Sequence, residues 1–247
     1  LVRDIPSSNR LLTMRQQFVA NVSHELRTPL TVVNGYLETI NDETVSDDVR
    51  LRLIGKFATP MNRMQTLVED LLLLTQLEAS TDIDDPAAVS MAAVIRSEAE
   101  ELQSLQNYPD QITVRIEADD KVLGLEKELH SVCVNLLSNA IRHSDSSANI
   151  EISWARVNDK VRLAVIDSGT GIPSEYIDRL TERFFRVDIA GAQARGGTGL
   201  GLAIVKHVLK RHDSQLYVES ALNQGSTFYC DFRPAPEAQP TADKPIG

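Results

Sequence analysis

No apolar run in this sequence approaches the ~20 residues that a membrane-spanning helix needs, and no signal peptide is visible at its start. Basic residues are in deficit as well: 25 Lys and Arg stand against 35 Asp and Glu, for a formal charge of −10. A nucleic-acid binder carries a basic footprint, so direct contact with DNA or RNA is not expected. Only two cysteines occur, Cys133 and Cys230, far apart and neither at metal-ligand spacing. They read as two small buried hydrophobes in a reducing compartment. What is present is ordinary for a globular protein, 42% apolar and 24% charged, and 247 residues suffice for one large domain or two modest ones. The chain opens on Leu1 rather than Met, which reads as an excerpt, with any membrane anchor upstream of it.

From Leu11 to about Ile40 the apolar residues Phe18, Val22, Leu26, Leu30, Val33, Leu37 and Ile40 recur at steps of three and four. That spacing predicts one stripe on a long helix. A polar loop over Asn41–Asp48 follows, and then a second helix from about Val49 to Ala79 with Leu53, Phe57, Met64, Leu67, Leu71 and Leu74 on its apolar face. Two such helices make an antiparallel hairpin whose stripes stay partly wet in one copy. Two copies form a four-helix bundle that buries all four stripes, so a homodimer is expected.

The polar, helix-breaking run Ser80–Pro86 reads as a linker. Beyond it the pattern changes to short strands at Ile112–Glu117, Ile150–Val157, Val161–Asp167, Leu216–Glu219 and Thr227–Phe232. Helices are expected from a Ser90 cap to about Gln106, at Glu126–Arg142 and at Leu200–Arg211. The fold class is therefore α+β: a helical hairpin over 11–79, behind an upstream linker at 1–10, and an α/β sandwich with a mixed sheet over 87–233. The tail 234–247, rich in Pro, Ala and acidic residues, reads as disordered.

Chemistry is concentrated in a few places. His24 lies about 200° around the helix from both Val22 and Leu26, on the side away from the stripe. A lone helical histidine is more often structural, but this one has Glu25 next door, able to take or orient its proton, and the Thr28 hydroxyl one turn on. Pro29 cannot donate to the Glu25 carbonyl, which loosens the helix beside the imidazole. On the helix around Asn135, an apolar face from Leu129 to Ile141 leaves Glu128, Ser131, Asn135, Asn139 and Arg142 on the other side. That side is either merely solvated or a site: amide oxygens at Asn135 and Asn139 suit Mg²⁺ shared with nucleotide phosphates, and Arg142 and His143 can reach the same phosphates. Asp167-Ser168-Gly169-Thr170-Gly171 follows a strand, where a carboxylate can accept from the exocyclic amine of adenine and Gly169 and Gly171 let the backbone close in. By itself that turn is a weak signal. The run Gly196-Gly197-Thr198-Gly199-Leu200-Gly201-Leu202-Ala203-Ile204-Val205 is stronger, because it sets backbone N–H groups at a helix start, facing phosphates. The turn at Gly225-Ser226-Thr227 and the group Phe184-Phe185-Arg186, with Arg186 aimed at a γ-phosphate, complete the set.

The run Phe18-Val19-Ala20-Asn21-Val22-Ser23-His24-Glu25-Leu26-Arg27-Thr28-Pro29-Leu30 resembles the phospho-acceptor box of sensor histidine kinases, and Asn135-Leu136-Leu137-Ser138-Asn139-Ala140 resembles their N box. With the two glycine boxes and the lid residues, five motifs stand in the family's order, over roughly residues 11–233. Leu180–Asp188, Arg211–Leu216 and Thr31–Glu38 are similar to the phosphate-regulon branch of that family. The resemblance implies a Bergerat-type ATP-binding fold, ATP and Mg²⁺ with Asn139 as the metal ligand, and His24 as phospho-acceptor. It implies transfer onto an aspartate of a response-regulator receiver domain, PhoB-like, and a reverse phosphatase activity using Thr28. It also implies the cytoplasmic portion of a bacterial inner-membrane protein, with no membrane contact by this segment. Departures occur at Thr181, Asp213-Ser214, Ser168 and Thr170, which bear on lid packing and subfamily rather than on chemistry. Two other classes compete: an ATPase of the Hsp90, gyrase and MutL type, and an inactive dimeric scaffold. The first needs a glutamate to activate water where Asn135 stands.

Overall fold

In the computed structural model the described residues are 5–80, 82–104, 112–144, 148–187 and 197–236. They fall into two compact units: Leu1–Ala79 with Asp178–Ile204, and Ser80–Ile177 with Val205–Gly247. Among the described residues no helix is long and apolar enough to cross a membrane.

The first unit is built on a helical hairpin of α1 (Ile5–Asn41), α2 (Asp47–Lys56) and α3 (Ala58–Ala79). α1 starts earlier than its apolar stripe, because Pro6 in the first turn suits a helix start and no stripe is needed there. Residues 5–10, expected as a linker, therefore already belong to the helix. The second helix is interrupted, contrary to the continuous Val49–Ala79 expected. Pro60 lacks an N–H for the Lys56 carbonyl and its ring crowds that oxygen, so α2 stops at Lys56 and α3 begins after Phe57. Phe57 N–H falls back on the Ile54 carbonyl (3.2 Å), the tighter spacing of a last turn.

The expected stripe of the second helix turns inward, with Leu67 and Leu74 buried and Leu53, Phe57, Met64 and Leu71 half-buried. The Tyr36 and Phe57 rings meet at 5.7 Å across the hairpin. A second apolar line, which the sequence reading did not separate, faces outward: Ile54, Met61, Val68 and Leu72, with Leu30 and Leu37 of α1, are all exposed.

The second unit is a two-layer sandwich. β2 (Ile112–Ile116), β4 (Ile150–Val157), β5 (Lys160–Asp167), β6 (Leu216–Ser220) and β7 (Ser226–Phe232) form a sheet in the order β2-β4-β5-β7-β6. Only β2 and β4 run parallel, so the sheet is mixed, as expected. The β4–β5 turn uses Asn158 at φ 57°, a left-handed position that Asn tolerates. α4 (Met91–Ser104) is capped by the Ser90 hydroxyl, which accepts the Ala93 N–H at 3.3 Å. α5 (Glu126–His143) covers the sheet with Leu129, Val132, Cys133, Leu136, Leu137 and Ala140, all essentially inaccessible. Trp154, Leu163, Phe228 and Cys230 meet them from the strands. Both cysteines are free and buried, and burial pushes both thiols up, so neither is a thiolate. α6 (Ser174–Ile177) and α7 (Gly201–Arg211) complete the element list.

One small sheet was not expected. β1 (Ala87–Ser90) pairs antiparallel with β3 (Lys121–Gly124), each only four residues long and too short to show a period. The Ala235 N–H donates to the Lys121 carbonyl at 2.7 Å, so residues just beyond 233 remain attached to this sheet. The rest of the expected tail, 237–247, lies outside the described residues.

Candidate active site

In the first unit His24 is exposed on α1, as its angle from the stripe requires. Its neighbour Glu25 is half-buried and reaches across the hairpin, where Arg63 Nη2 on α3 donates to Oε2 at 2.8 Å. Arg63 was missed in the sequence because its partner lies 38 residues away and only the hairpin register joins them. The Thr28 hydroxyl donates to the His24 carbonyl at 3.3 Å, which leaves its lone pairs to accept from a water. Pro29 is buried, and with Thr28, Val32, Tyr36, Lys56, Thr59, Pro60 and Arg63 it lines a groove of about 330 Å³ beside the histidine's turn.

The segment Asp178–Ile204 belongs to the same unit. Phe184 N–H donates to the Gly199 carbonyl at 2.8 Å, and a Cβ on Gly199 would stand 2.8 Å from the Phe184 Cα. Gly197 and Gly199 take φ values of 104° and 70°, which only glycine holds without strain. The Thr198 hydroxyl donates to Asp70 Oδ2 at 2.8 Å and lies 3.2 Å from the Leu200 N–H. Leu200 is fully buried, Gly201 opens α7, and Arg186 is half-buried. Gly196, the first residue of the quoted glycine run, lies outside the described residues.

In the second unit, Asn135, Asn139, Arg142 and His143 lie half-buried along one side of α5, opposite its core face. The Asn135 amide donates back to the Ser131 carbonyl at 2.9 Å, so its oxygen turns away from the helix. Asp167 ends β5 and is 5% exposed. Burial raises its pKa, partly offset by N–H groups of Gly169 and Ser226, the former at 2.9 Å from Oδ1. Three glycines make a cradle here. A Cβ would stand 2.5 Å from the His143 carbonyl oxygen at Gly169, 1.9 Å from that of Ala221 at Gly171, and 2.0 Å from that of Asp167 at Gly225. Gly169 thereby seats the loop after β5 on the end of α5, and Gly225 seats the β6–β7 turn on Asp167. Thr227 pairs with Ile166, one residue from Asp167. Asp167, Gly169, Gly171, Thr227 and the C-terminal end of α5 are thus brought together.

Two further residues hold this end: Ser220, which was not singled out in the sequence, and Ser168, noted there only as a departure from the family pattern. The Ser220 hydroxyl accepts the Ile172 N–H at 2.8 Å and donates to the Gly225 carbonyl at 2.9 Å. Ser168 Oγ accepts the Asn149 N–H at 2.9 Å, which gives that departure from the family pattern a role in tying the loop down.

Residues 14–80 match the His Kinase A (phospho-acceptor) domain, and residues 124–236 match the domain described as histidine kinase-, DNA gyrase B- and HSP90-like ATPase. The chain belongs to the histidine kinases. It is 44% identical to the phosphate regulon sensor protein PhoR of Pseudomonas aeruginosa, over 97% of this chain and 54% of that protein. It is 38% identical to PhoR of Haemophilus influenzae, over 92% of this chain and 53% of that protein. The chain therefore spans about half the length of these curated relatives. Among solved structures, the histidine kinase ThkA in complex with the response regulator protein TrrA shares the fold, with a TM-score of 0.67 at 20% identity, over 96% of this chain and 69% of that one. Both regions of this histidine kinase contain the residues read from the sequence: His24, Glu25 and Thr28 in the first, and Asn135, Asn139, Arg142, His143, Asp167, Gly169, Gly171 and Thr227 in the second.

The residues of the second unit fit a nucleotide. A carboxylate 5% exposed at a strand end, with the loops around it fixed by close backbone packing at Gly169, Gly171 and Gly225, fits a planar base carrying an amine. Among the described residues there is no group of three or more His, Cys, Asp or Glu able to hold a metal ion. The amide oxygens of Asn135 and Asn139 are hard ligands that fit Mg²⁺ completed by phosphates and water rather than by a protein cage.

Proposed function

We propose that this chain is the catalytic portion of a two-component sensor histidine kinase, which phosphorylates His24 from ATP and passes the phosphoryl group to an aspartate of a response-regulator receiver domain. The observation that carries the reading is a solvent-exposed His24, flanked by a half-buried carboxylate, inside the region that matches a phospho-acceptor domain. The domains are a hairpin over 11–79 for dimerisation and acceptance, and an ATP-binding domain over 87–233 joined to it by 80–86.

A neutral ring nitrogen of His24 attacks the γ-phosphorus of ATP, the bond to the β–γ bridging oxygen breaks, and ADP leaves. The ring's other N–H proton goes to Glu25, whose carboxylate is steadied by Arg63. Asp167 reads the adenine amine, while Gly169 and Gly171 admit the ring. Gly197, Thr198, Gly199, Leu200 and Gly201 present N–H groups to the phosphates. Arg142, His143 and Arg186 supply further donors there, and Thr227 borders the base. Asn139, beside Asn135, would hold Mg²⁺, which would supply positive charge to offset that on the phosphoryl group. Asn135 cannot act as the general base that a water-activating ATPase needs, which favours the kinase over that rival.

The outward line Ile54, Met61, Val68 and Leu72 supports a homodimer, since four such faces close a bundle. The phosphate-regulon names of the relatives support a PhoB-like receiver as partner, and the name of the ThkA structure supports a response regulator as the class. Thr28 positions water for the reverse reaction, hydrolysis of the receiver's aspartyl phosphate. The chain is read as the cytoplasmic portion of a bacterial inner-membrane protein.

Incubation with γ-labelled ATP tests the reading. Acid-labile, base-stable label is expected on the wild type and none on His24→Gln, with ATP affinity nearly unchanged. Acid-stable label, or label that persists in the variant, refutes it.

A further inference from the structure

The second unit contains a buried ion pair that none of this chemistry uses. Arg211, the last residue of α7, has a side chain only 9% exposed, and its Nη2 lies 3.2 Å from Oε1 of Glu128 in the first turn of α5. Its other terminal nitrogen, Nη1, donates to the main-chain carbonyl of Ser80 at 2.8 Å. His212 walls the pair on one side. Its ring is wholly buried, Nδ1 bonds the Val208 carbonyl at 2.8 Å, and a Cβ on Gly124 would stand 2.3 Å from Nε2.

Removing two charges from water gains little stability, so a buried pair of this kind is poorly explained by stability alone. What the pair supplies is direction. A planar guanidinium held at Nη2 by Glu128 presents Nη1 in a fixed direction to a second point, which a flexible lysine would not do. That point is the first residue after α3, where the chain leaves the hairpin. Glu128 is on the helix that also carries Asn135 and Asn139.

We propose that Arg211 is a clamp that anchors the start of the connecting segment to the nucleotide-binding unit, and so is a positioning residue for transfer to His24. The role rests on the proposed kinase reading. With the clamp closed, the tether between the hairpin and the second unit is anchored at Ser80. With it open, the next main-chain pairing among the described residues is that of β1 at Ala87 with Gly124. The connection between α3 and β1 is then no longer held at its start, and a flexible stretch of about seven residues has an end-to-end distance of roughly 15 Å. Effective concentration falls as about the −3/2 power of tether length, so the delivered phosphoryl donor is diluted at His24.

The test uses Arg211→Gln and the double variant Glu128→Leu/Arg211→Met, which replaces the pair by apolar groups so that no charge is left buried alone. Two quantities are measured on the whole chain: amide hydrogen exchange in the segment between α3 and β1, and His24 labelling as a function of ATP. Both variants should exchange that segment faster and label His24 about three- to tenfold more slowly at saturating ATP, with the KM for ATP unchanged. Unchanged exchange in both variants overturns the clamp. Faster exchange with an unchanged rate overturns its role in positioning, and a raised KM in both makes the pair a plain support of the nucleotide fold. A wild type that fails to label His24 sinks the kinase reading and the positioning role with it, while exchange still decides the anchor.

Discussion

Met61→Asp should dissociate the proposed dimer. Met61 is 51% exposed on α3, and it stands seven residues from Ile54 (55%) and from Val68 (45%), the repeat of a packed helical seam. Burying a whole side chain of this size is worth about 1.5–3 kcal/mol, so covering the exposed half of Met61 contributes about 1 kcal/mol. Aspartate forfeits that and adds a carboxylate to be desolvated, at least about 1 kcal/mol more even where water relieves it partly. A two-fold dimer feels each change twice, for a total of at least about 4 kcal/mol, or roughly a thousandfold in the dimer dissociation constant. Sedimentation equilibrium over a concentration series measures this, with circular dichroism to check that helix content is kept. Leu222→Asp, at a comparably exposed site (52%) outside the hairpin, should leave the association constant unchanged. A Met61→Asp chain that dimerises as tightly as the wild type refutes the seam, and so does a wild type that stays monomeric.

Asp167→Asn should weaken ATP binding while raising the melting temperature of the nucleotide-free protein at pH 7. Burial raises the Asp167 pKa, so the favourable protonated form is present in full at low pH and its contribution is lost as pH rises through the folded-state value. Thermal melts with and without ATP check both halves, and a melting temperature that falls contradicts the sign. Asn139→Ala should cut Mg²⁺-dependent labelling of His24 by about 10²-fold, because metal and positioning supply most of this chemistry. A normal rate with Mg²⁺ would place the ligand elsewhere. Gly171→Ala should cost at least about 2 kcal/mol in a denaturant titration, since φ is 66° and the new Cβ meets the Ala221 carbonyl oxygen at 1.9 Å. A loss under about 0.5 kcal/mol, the scatter of a neutral surface change, would show that the turn yields.

Much of this protein is local in character and could be read from the sequence. The stripes of the hairpin, the five strands of the main sheet and the face of α5 follow from periods of 3.6 and 2, which depend on neighbours a few residues apart. The exposure of His24 follows from its angle around α1, and the burial of Cys133 and Cys230 from their lack of partners. The glycine boxes were visible for the same reason, because a positive φ is a demand on one residue. Some local signals were outweighed or too brief. Pro60 split the second helix although the apolar period ran through it, and β1 and β3 were too short to carry a period at all.

What only the tertiary structure decided joins residues far apart in the chain. Strand order, the Glu25–Arg63 bond and the outward line Ile54–Met61–Val68 each depend on which elements pack together and which face remains uncovered. Arg211 reaching Ser80, and Gly225 backing onto Asp167, bring together residues that local sequence leaves independent. Local propensity fixes the shape of each element, while long-range pairing is selected by the burial of whole faces and the satisfaction of buried polar groups, which no short window of sequence contains.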